Sequence, residues 1–522
     1  MDGWVVFIVA LFICTLFIGA YPIYILDESR NAEAAREMFI SGNYIVPYFN
    51  GVLRTDKPPL HYYIMTLGYQ IFGINAFGAR FFSGVFGALT ILVCYKSVKR
   101  HLSTLHGQLT VGVLLAALFF VQEFHLAVPD PYLIFFIATA LFSFFEFQST
   151  QHKKWLLVAY SCIGLGILTK GPIAIVIPGL SLFVFLILSK QLRWKIIFSY
   201  RPILGLLWAL AIVLPWYYWV HEATQGAWTK GFFLDHNVNR FQAGKEGHGG
   251  LFILTPLFVV LGLLPFSVIA PQALKEAWKQ GAQLPLLRFA FSVTIVTLVF
   301  FSIASTKLPN YPMPCYPFLG ILLATFLYKV KEQPTKVRSV EWSFGVLTFI
   351  SIALPIAGFV ALSLEKQFFE IRWISLFIAI LSITAPLSWW YYRKMVLKKA
   401  FLTLVVGWIL MTGLLHGLVY PILTKQSPTT LASEVIDQDA EVVVFQRFDS
   451  AFPFNFNRTF EVVYAIEELR AYLEEHPKAL VLTNTRDKGY LKQLGELQLL
   501  LEQKALFENH TTRIYSSKAI ID

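Results

Sequence analysis

The chain has 522 residues, of which 56% are hydrophobic and only 14% charged, with 48 Phe, 23 Tyr and 13 Trp. A soluble protein needs roughly a quarter of its residues charged to cover its exterior, so a cytosolic enzyme, a disordered chain and a disulfide-stapled secreted domain are excluded. A polytopic all-α membrane protein remains. The net charge of +11 is spread over short basic runs and makes no nucleic-acid-binding face.

In chain order, apolar windows of roughly 17–25 residues recur about thirteen times. They centre on 4–24, 77–97, 109–126, 131–147, 155–169, 172–189, 203–220, 251–270, 288–304, 311–329, 342–362, 371–392 and 400–420. The first run, Trp4 to Gly19, lacks a basic leader and a small-x-small cleavage site, and is expected to be a retained span. Cys14, Cys94, Cys162 and Cys315 lie in or beside these runs without CxxC spacing and are expected as buried thiols.

Charge sets the expected orientation. Alternate short loops hold 20 basic residues, from Lys96 to Lys399, against four (Lys170, Lys307, Lys366, Arg372) on the other side. The positive-inside rule puts the first set and the N-terminus in the cytoplasm. Two long loops, 25–76 and 221–250, then face outward. Residues 1–425 read as the transmembrane domain. Residues 426–522 carry 15 acidic and 10 basic residues and read as a small α/β domain on the outer face, with strands at Val442–Phe445, Leu480–Thr483 and Thr512–Tyr515. Helices are expected at Ile466–His476 and near 487–495. No internal repeat is evident, which argues against an inverted-repeat transporter.

The first outer loop carries the densest chemistry. Leu26-Asp27-Glu28-Ser29-Arg30 follows the first span, Asn31–Ile40 reads as a helix on the membrane surface, and Arg54-Thr55-Asp56-Lys57-Pro58-Pro59-Leu60 closes the loop. Pro58-Pro59 breaks any helix and fixes Asp56 and Lys57 in place. Carboxylates and a cation against a bilayer are costly unless they form a site; the bland alternative is a solvated loop. Asp130, between Pro129 and Pro131 at an outer turn, either lines the same cavity or caps a helix. Glu123, His125, His221 and Glu222 read as interfacial. His416 and the cluster Trp216, Tyr217, Tyr218 and Trp219 read as belt or packing residues.

These segments resemble the bacterial polyprenyl-phosphate-sugar glycosyltransferases of GT-C fold, the group of the lipid A aminoarabinose transferases and protein O-mannosyltransferases. The resemblance continues through Thr169-Lys170-Gly171-Pro172, Phe232 to Phe241, and Ser305-Thr306-Lys307-Leu308-Pro309-Asn310-Tyr311. It implies an inner-membrane enzyme that takes a sugar from a polyprenyl-phosphate carrier. The acceptor is lipid A or another envelope glycolipid, or alternatively protein, on the outer side; membrane lipids are its other partners. A lipid flippase and a non-catalytic envelope assembly protein are the rivals from other classes.

The resemblance also implies roles for residues. Asp27, with Glu28 beside it, is the expected catalytic carboxylate of an inverting displacement. Lys57 and Arg240, then Lys170 and Lys307, are the expected donor-phosphate cations, with interfacial snorkelling as their alternative. Asp130, Asp56, His236 and Tyr311 are expected in the substrate cavity. No cofactor is expected to be required, since the donor carries no pyrophosphate. A divalent ion held by Asp56, Asp235 and His236 stays open.

Overall fold

The structure, a computed structural model, describes residues 2–238, 250–333, 335–437, 439–486 and 491–516, and only the backbone of 235–238. Every apolar window named above carries a helix or a broken helix. Among the described residues, eight helices are long and apolar enough to cross a membrane, nine if Leu254–Gly262 and Phe266–Gln280, bent by 118°, make one span. Gly3–Cys14, Thr104–Ala116 and Ile173–Leu188 are apolar but shorter; at about 1.5 Å per residue they fall short of a ~30 Å core. The four cysteines are buried free thiols.

Residues 25–76 fold as a helix, a hairpin and a second helix. The first helix, Leu26–Ser41, ends at Gly42, whose left-handed φ of +69° closes the last turn with its N–H on the Met38 carbonyl at 3.1 Å. The hairpin pairs β1 (Tyr48–Phe49) with β2 (Val52–Leu53). The second helix, Leu60–Phe72, starts directly after Pro58-Pro59. It packs on the span Ala76–His101 so closely that a Cβ on Gly68 would lie 2.1 Å from the Gly78 carbonyl oxygen. That span is capped by Asn75, whose Oδ1 accepts the Gly78 N–H at 2.9 Å.

Two corrections concern the Leu26–Ser41 helix. It begins five residues earlier than expected, so Asp27 and Glu28 sit in its first turn. It is also no open surface helix: Glu28, Ser29, Asn31, Glu33 and Arg36 are all buried, because the C-terminal residues cover it. There, a sheet of order β4-β3-β5-β7-β6 is built from β3 (Val442–Phe445), β4 (Glu461–Val463), β5 (Leu480–Asn484), β6 (Gln498–Lys504) and β7 (Thr511–Ser516). β4, β3 and β5 run parallel, and β7 and β6 add antiparallel. Val442 and Val444 face one apolar cluster, and Val443 and Phe445 another; two covered faces explain the unbroken apolar run. The Ile466–Glu475 helix matches the expected stretch; of the one expected near 487–495, Leu491–Leu494 forms a 3₁₀ turn and 487–490 lie outside the described residues.

The sheet's loops grip the Leu26–Ser41 helix at its start and along its length. Asn455 Nδ2 donates to the Ile23 carbonyl at 2.7 Å, Tyr24 Oη donates to Asp449 Oδ2 at 2.9 Å, and Ser29 and Ser450 hydroxyls lie 2.8 Å apart. Arg36, held by Glu33 at 2.6 and 2.7 Å, donates to the Asn457 carbonyl at 3.2 Å. The Asn50 side chain pairs both ways with the Phe460 backbone, at 2.9 and 2.7 Å.

Beneath this helix lies a fully buried ion pair. Arg80 donates to both Glu28 oxygens at 2.7 and 2.8 Å, and to the carbonyls of Ile18, Tyr21 and Pro22 at 2.7, 2.9 and 3.3 Å. Removing one partner of such a pair strands a charge and costs about 3–5 kcal/mol. Arg80→Ala is therefore expected to lower the thermal unfolding midpoint sharply in detergent. The apolar double replacement Glu28→Leu/Arg80→Met should recover part of that loss; equal midpoints for wild type and Arg80→Ala would contradict the anchor.

Candidate active site

Successive residues of an α-helix point about 100° apart, and this separates Asp27 from Glu28. Asp27 is exposed while Glu28 is fully buried. The Glu28 carboxylate is taken up by Arg80 and by the Ala127 N–H at 2.8 Å. That occupancy argues against the catalytic part expected of Glu28 beside Asp27: its place is under the site, as an anchor.

Asn31, one turn on from Asp27, is the hub of the cluster. Its Nδ2 donates to the Asp27 carbonyl at 2.7 Å, while its Oδ1 receives Arg54 Nη2 at 3.3 Å and faces His61 Nε2 at 3.2 Å. Arg54, buried, also donates through Nε to Tyr62 Oη at 2.9 Å and pairs with Asp56 at 3.2 Å. The indole N–H of buried Trp228 donates to the Arg54 carbonyl at 2.9 Å. Trp216 and Tyr217 pack with that Trp228 as core residues, whereas Tyr218 and Trp219 are exposed. The half-buried Lys57 follows Asp56.

A second set of charges closes the other side. Lys170, at the end of Lys154–Lys170, grips both oxygens of Asp130 at 2.6 and 2.7 Å and lies 5.1 Å from the Tyr311 ring centre. Asp130 opens the Asp130–Thr150 helix without capping it; its carboxylate belongs to Lys170. Glu123 is buried next to the Asn310 side chain, within electrostatic reach of Asp130, Lys170 and Asp27, so it is part of this cluster and no interfacial residue. Asp27 likewise acts on Arg54. The two sets thus form one charged site.

Other expected residues stand apart. The Lys307 ammonium is buried and donates to the carbonyls of Phe301, Ser302 and Ala304 at the end of Pro285–Ile303, a C-terminal cap where a phosphate contact was expected. Arg240 lies outside the described residues, as do the side chains of Asp235 and His236. Asp56 turns to Arg54, and among the described residues no three His, Cys, Asp or Glu side chains converge on a metal position. His125 and His416 are buried with ring centres 4.0 Å apart.

Sequence reasoning did not single out Asn31, His61 or Tyr62. The signal available for them was proximity to the quoted segments: Asn31 directly follows Arg30, and His61 and Tyr62 directly follow Leu60.

Comparison with known proteins agrees with this architecture. Residues 56–219 match the family described as dolichyl-phosphate-mannose-protein mannosyltransferase. An undecaprenyl phosphate-alpha-4-amino-4-deoxy-L-arabinose arabinosyl transferase of Pseudomonas aeruginosa is 27% identical over 428 residues, 80% of this chain and 76% of that one. Its counterpart in Enterobacter sp. is 31% identical, over 63% of this chain and 61% of that one. The crystal structure of ArnT from Cupriavidus metallidurans bound to undecaprenyl phosphate superposes with a TM-score of 0.80 at 22% identity, covering 98% of both chains.

The chain is a multi-pass membrane protein with the fold of that transferase. Burial first, then repulsion from the charges of Arg54, Lys57 and Lys170, pushes the His61 imidazole well below its usual range. A depressed histidine favours the folded state at neutral pH, and that contribution fades as pH falls below the unfolded value of about 6.5. Between pH 7 and 5 the wild-type unfolding midpoint is expected to drop further than that of His61→Asn; parallel drops would show that His61 does not titrate against these cations.

Proposed function

We propose that this chain is a glycosyltransferase that moves a sugar from an undecaprenyl-phosphate carrier to lipid A or another envelope acceptor, at the membrane face that carries the C-terminal sheet. The observation that supports it best is the exposed Asp27 in the first turn of its helix, joined through Asn31 to buried Arg54 and His61. The relatives' names point to the same donor.

The proposed reaction is a single displacement. An acceptor oxygen attacks the anomeric carbon as the bond from that carbon to the carrier phosphate breaks. Undecaprenyl phosphate leaves with the electron pair, and the configuration inverts. Lys57, joined by Arg240, holds the departing phosphate and meets the charge that grows on it. Lys170, already neutralised by Asp130, has a weaker claim on the phosphate; with Tyr311 it shapes the cavity. Asp27 orients the acceptor and takes its proton when the acceptor is a hydroxyl. An ionised lipid A phosphate carries no such proton, and Asp27 then acts by position alone. Glu28 anchors the helix that presents Asp27.

In a transfer assay with purified protein and undecaprenyl-phosphate aminoarabinose, Asp27→Ala is expected to lose about 100- to 10,000-fold in kcat with a hydroxyl acceptor, and a smaller factor with the lipid A phosphate. Lys57→Ala should chiefly weaken donor binding. Undiminished transfer by Asp27→Ala would remove its catalytic assignment, and an unchanged donor KM in Lys57→Ala would remove the phosphate contact. The orientation follows from the charge count: a periplasm-dependent reporter fused after Asp522 should be active, and activity of a cytoplasm-dependent reporter there would reverse it.

A further inference from the structure

The membrane end farthest from the active site carries a recess with a different chemistry. The Arg338–Leu364 helix has 27 residues, a rise of about 40 Å. The residue after it, Glu365, pairs with Lys504 of β6 at 2.8 Å, so the helix begins one bilayer thickness, headgroups included, from the sheet. At that beginning, Arg338, Glu341, Trp342, Gly345, Trp389 and Arg393 line an open recess of about 370 Å³.

We propose that this recess binds the headgroup of an anionic phospholipid in the leaflet opposite the active site. Arg393 engages Glu341 through Nε at 3.2 Å, and among the described residues Arg338 pairs with no carboxylate. The N-terminal N–H groups of a long helix add positive potential beside Arg338. Lys336, Lys394, Lys398 and Lys399 are exposed near the same end, so the surroundings favour an anion.

The occupant must also be amphipathic. Gly345 lies seven residues, about 10 Å, deeper than Arg338, and a Cβ there would meet only the Trp389 ring at 3.8 Å. Trp342, Val346 and Phe349 continue as one apolar face, exposed by 69%, 50% and 73%. Two tryptophans at headgroup depth with apolar surface below them suit a lipid that places its phosphate on the arginines and its chains along the helix. Beside the recess, Tyr392 Oη receives the Val337 N–H at 2.9 Å and ties the two helices together.

Native mass spectrometry of the full chain in detergent, with phosphatidylglycerol and phosphatidylcholine of matched chains, tests this. The wild type should bind phosphatidylglycerol in preference. Arg338→Gln should weaken that preference about fivefold and Arg338→Gln/Arg393→Gln about thirtyfold. Arg338→Lys/Arg393→Lys keeps the charge and should retain most of it, which separates loss of the site from loss of fold. An unchanged preference in the double glutamine variant, or equal binding of both lipids by the wild type, would overturn the proposal. So would displacement of phosphatidylglycerol by millimolar inorganic phosphate, which would mark a free-anion site.

Discussion

The buried pair between Glu28 and Arg80 is the constraint on which the site's geometry rests. Arg80 comes from a membrane span, Glu28 from the first turn of the Leu26–Ser41 helix, and the carbonyls of Ile18, Tyr21 and Pro22 from the chain leaving the first helix. The remaining demand of Glu28 is met by the Ala127 N–H, just before Asp130. Charges this deep persist only when every donor and acceptor is matched. Matching them fixes four separate stretches of chain at one point, and Asp27 is the neighbouring residue on the exposed side.

The C-terminal sheet completes this arrangement from above. Its contacts with Ile23, Tyr24, Ser29, Arg36 and Asn50 bracket the Asp27 turn. The helix is therefore held between a membrane bundle and a folded cap, and this lets a helix with six charged residues in sixteen bury Glu33 and Arg36. Through Asn31, the same helix reaches the Arg54-to-His61 segment. Asp27 and Arg54 are thus tied to the same side chain, Asn31.

Much of this was legible in the sequence. The apolar windows located the helices, and the Val442, Leu480 and Thr512 runs located three strands. The ordered segments around Asp27, Lys57, Lys170 and Tyr311 pointed to one site. What was not legible depended on contacts across the chain. Glu28 looked like a partner of Asp27 because adjacency in sequence says nothing of a 100° turn until the helix start is known. Asn31 and His61 gain their importance only when residues 30 positions apart meet. Lys307 matched an expected phosphate cation by segment, yet the end of its neighbouring helix offered nearer acceptors. Asp130 could be read as a cap until Lys170, 40 positions later, claimed it.

The most direct test of the account is an experimental structure with undecaprenyl phosphate bound. The account predicts the phosphate against the Lys57 ammonium at the sheet-bearing face, within reach of the Asp27 side chain, with the isoprenoid chain leaving into the bilayer. A phosphate bound at the opposite face, or on the sheet-bearing face away from both Lys57 and Asp27, would contradict it.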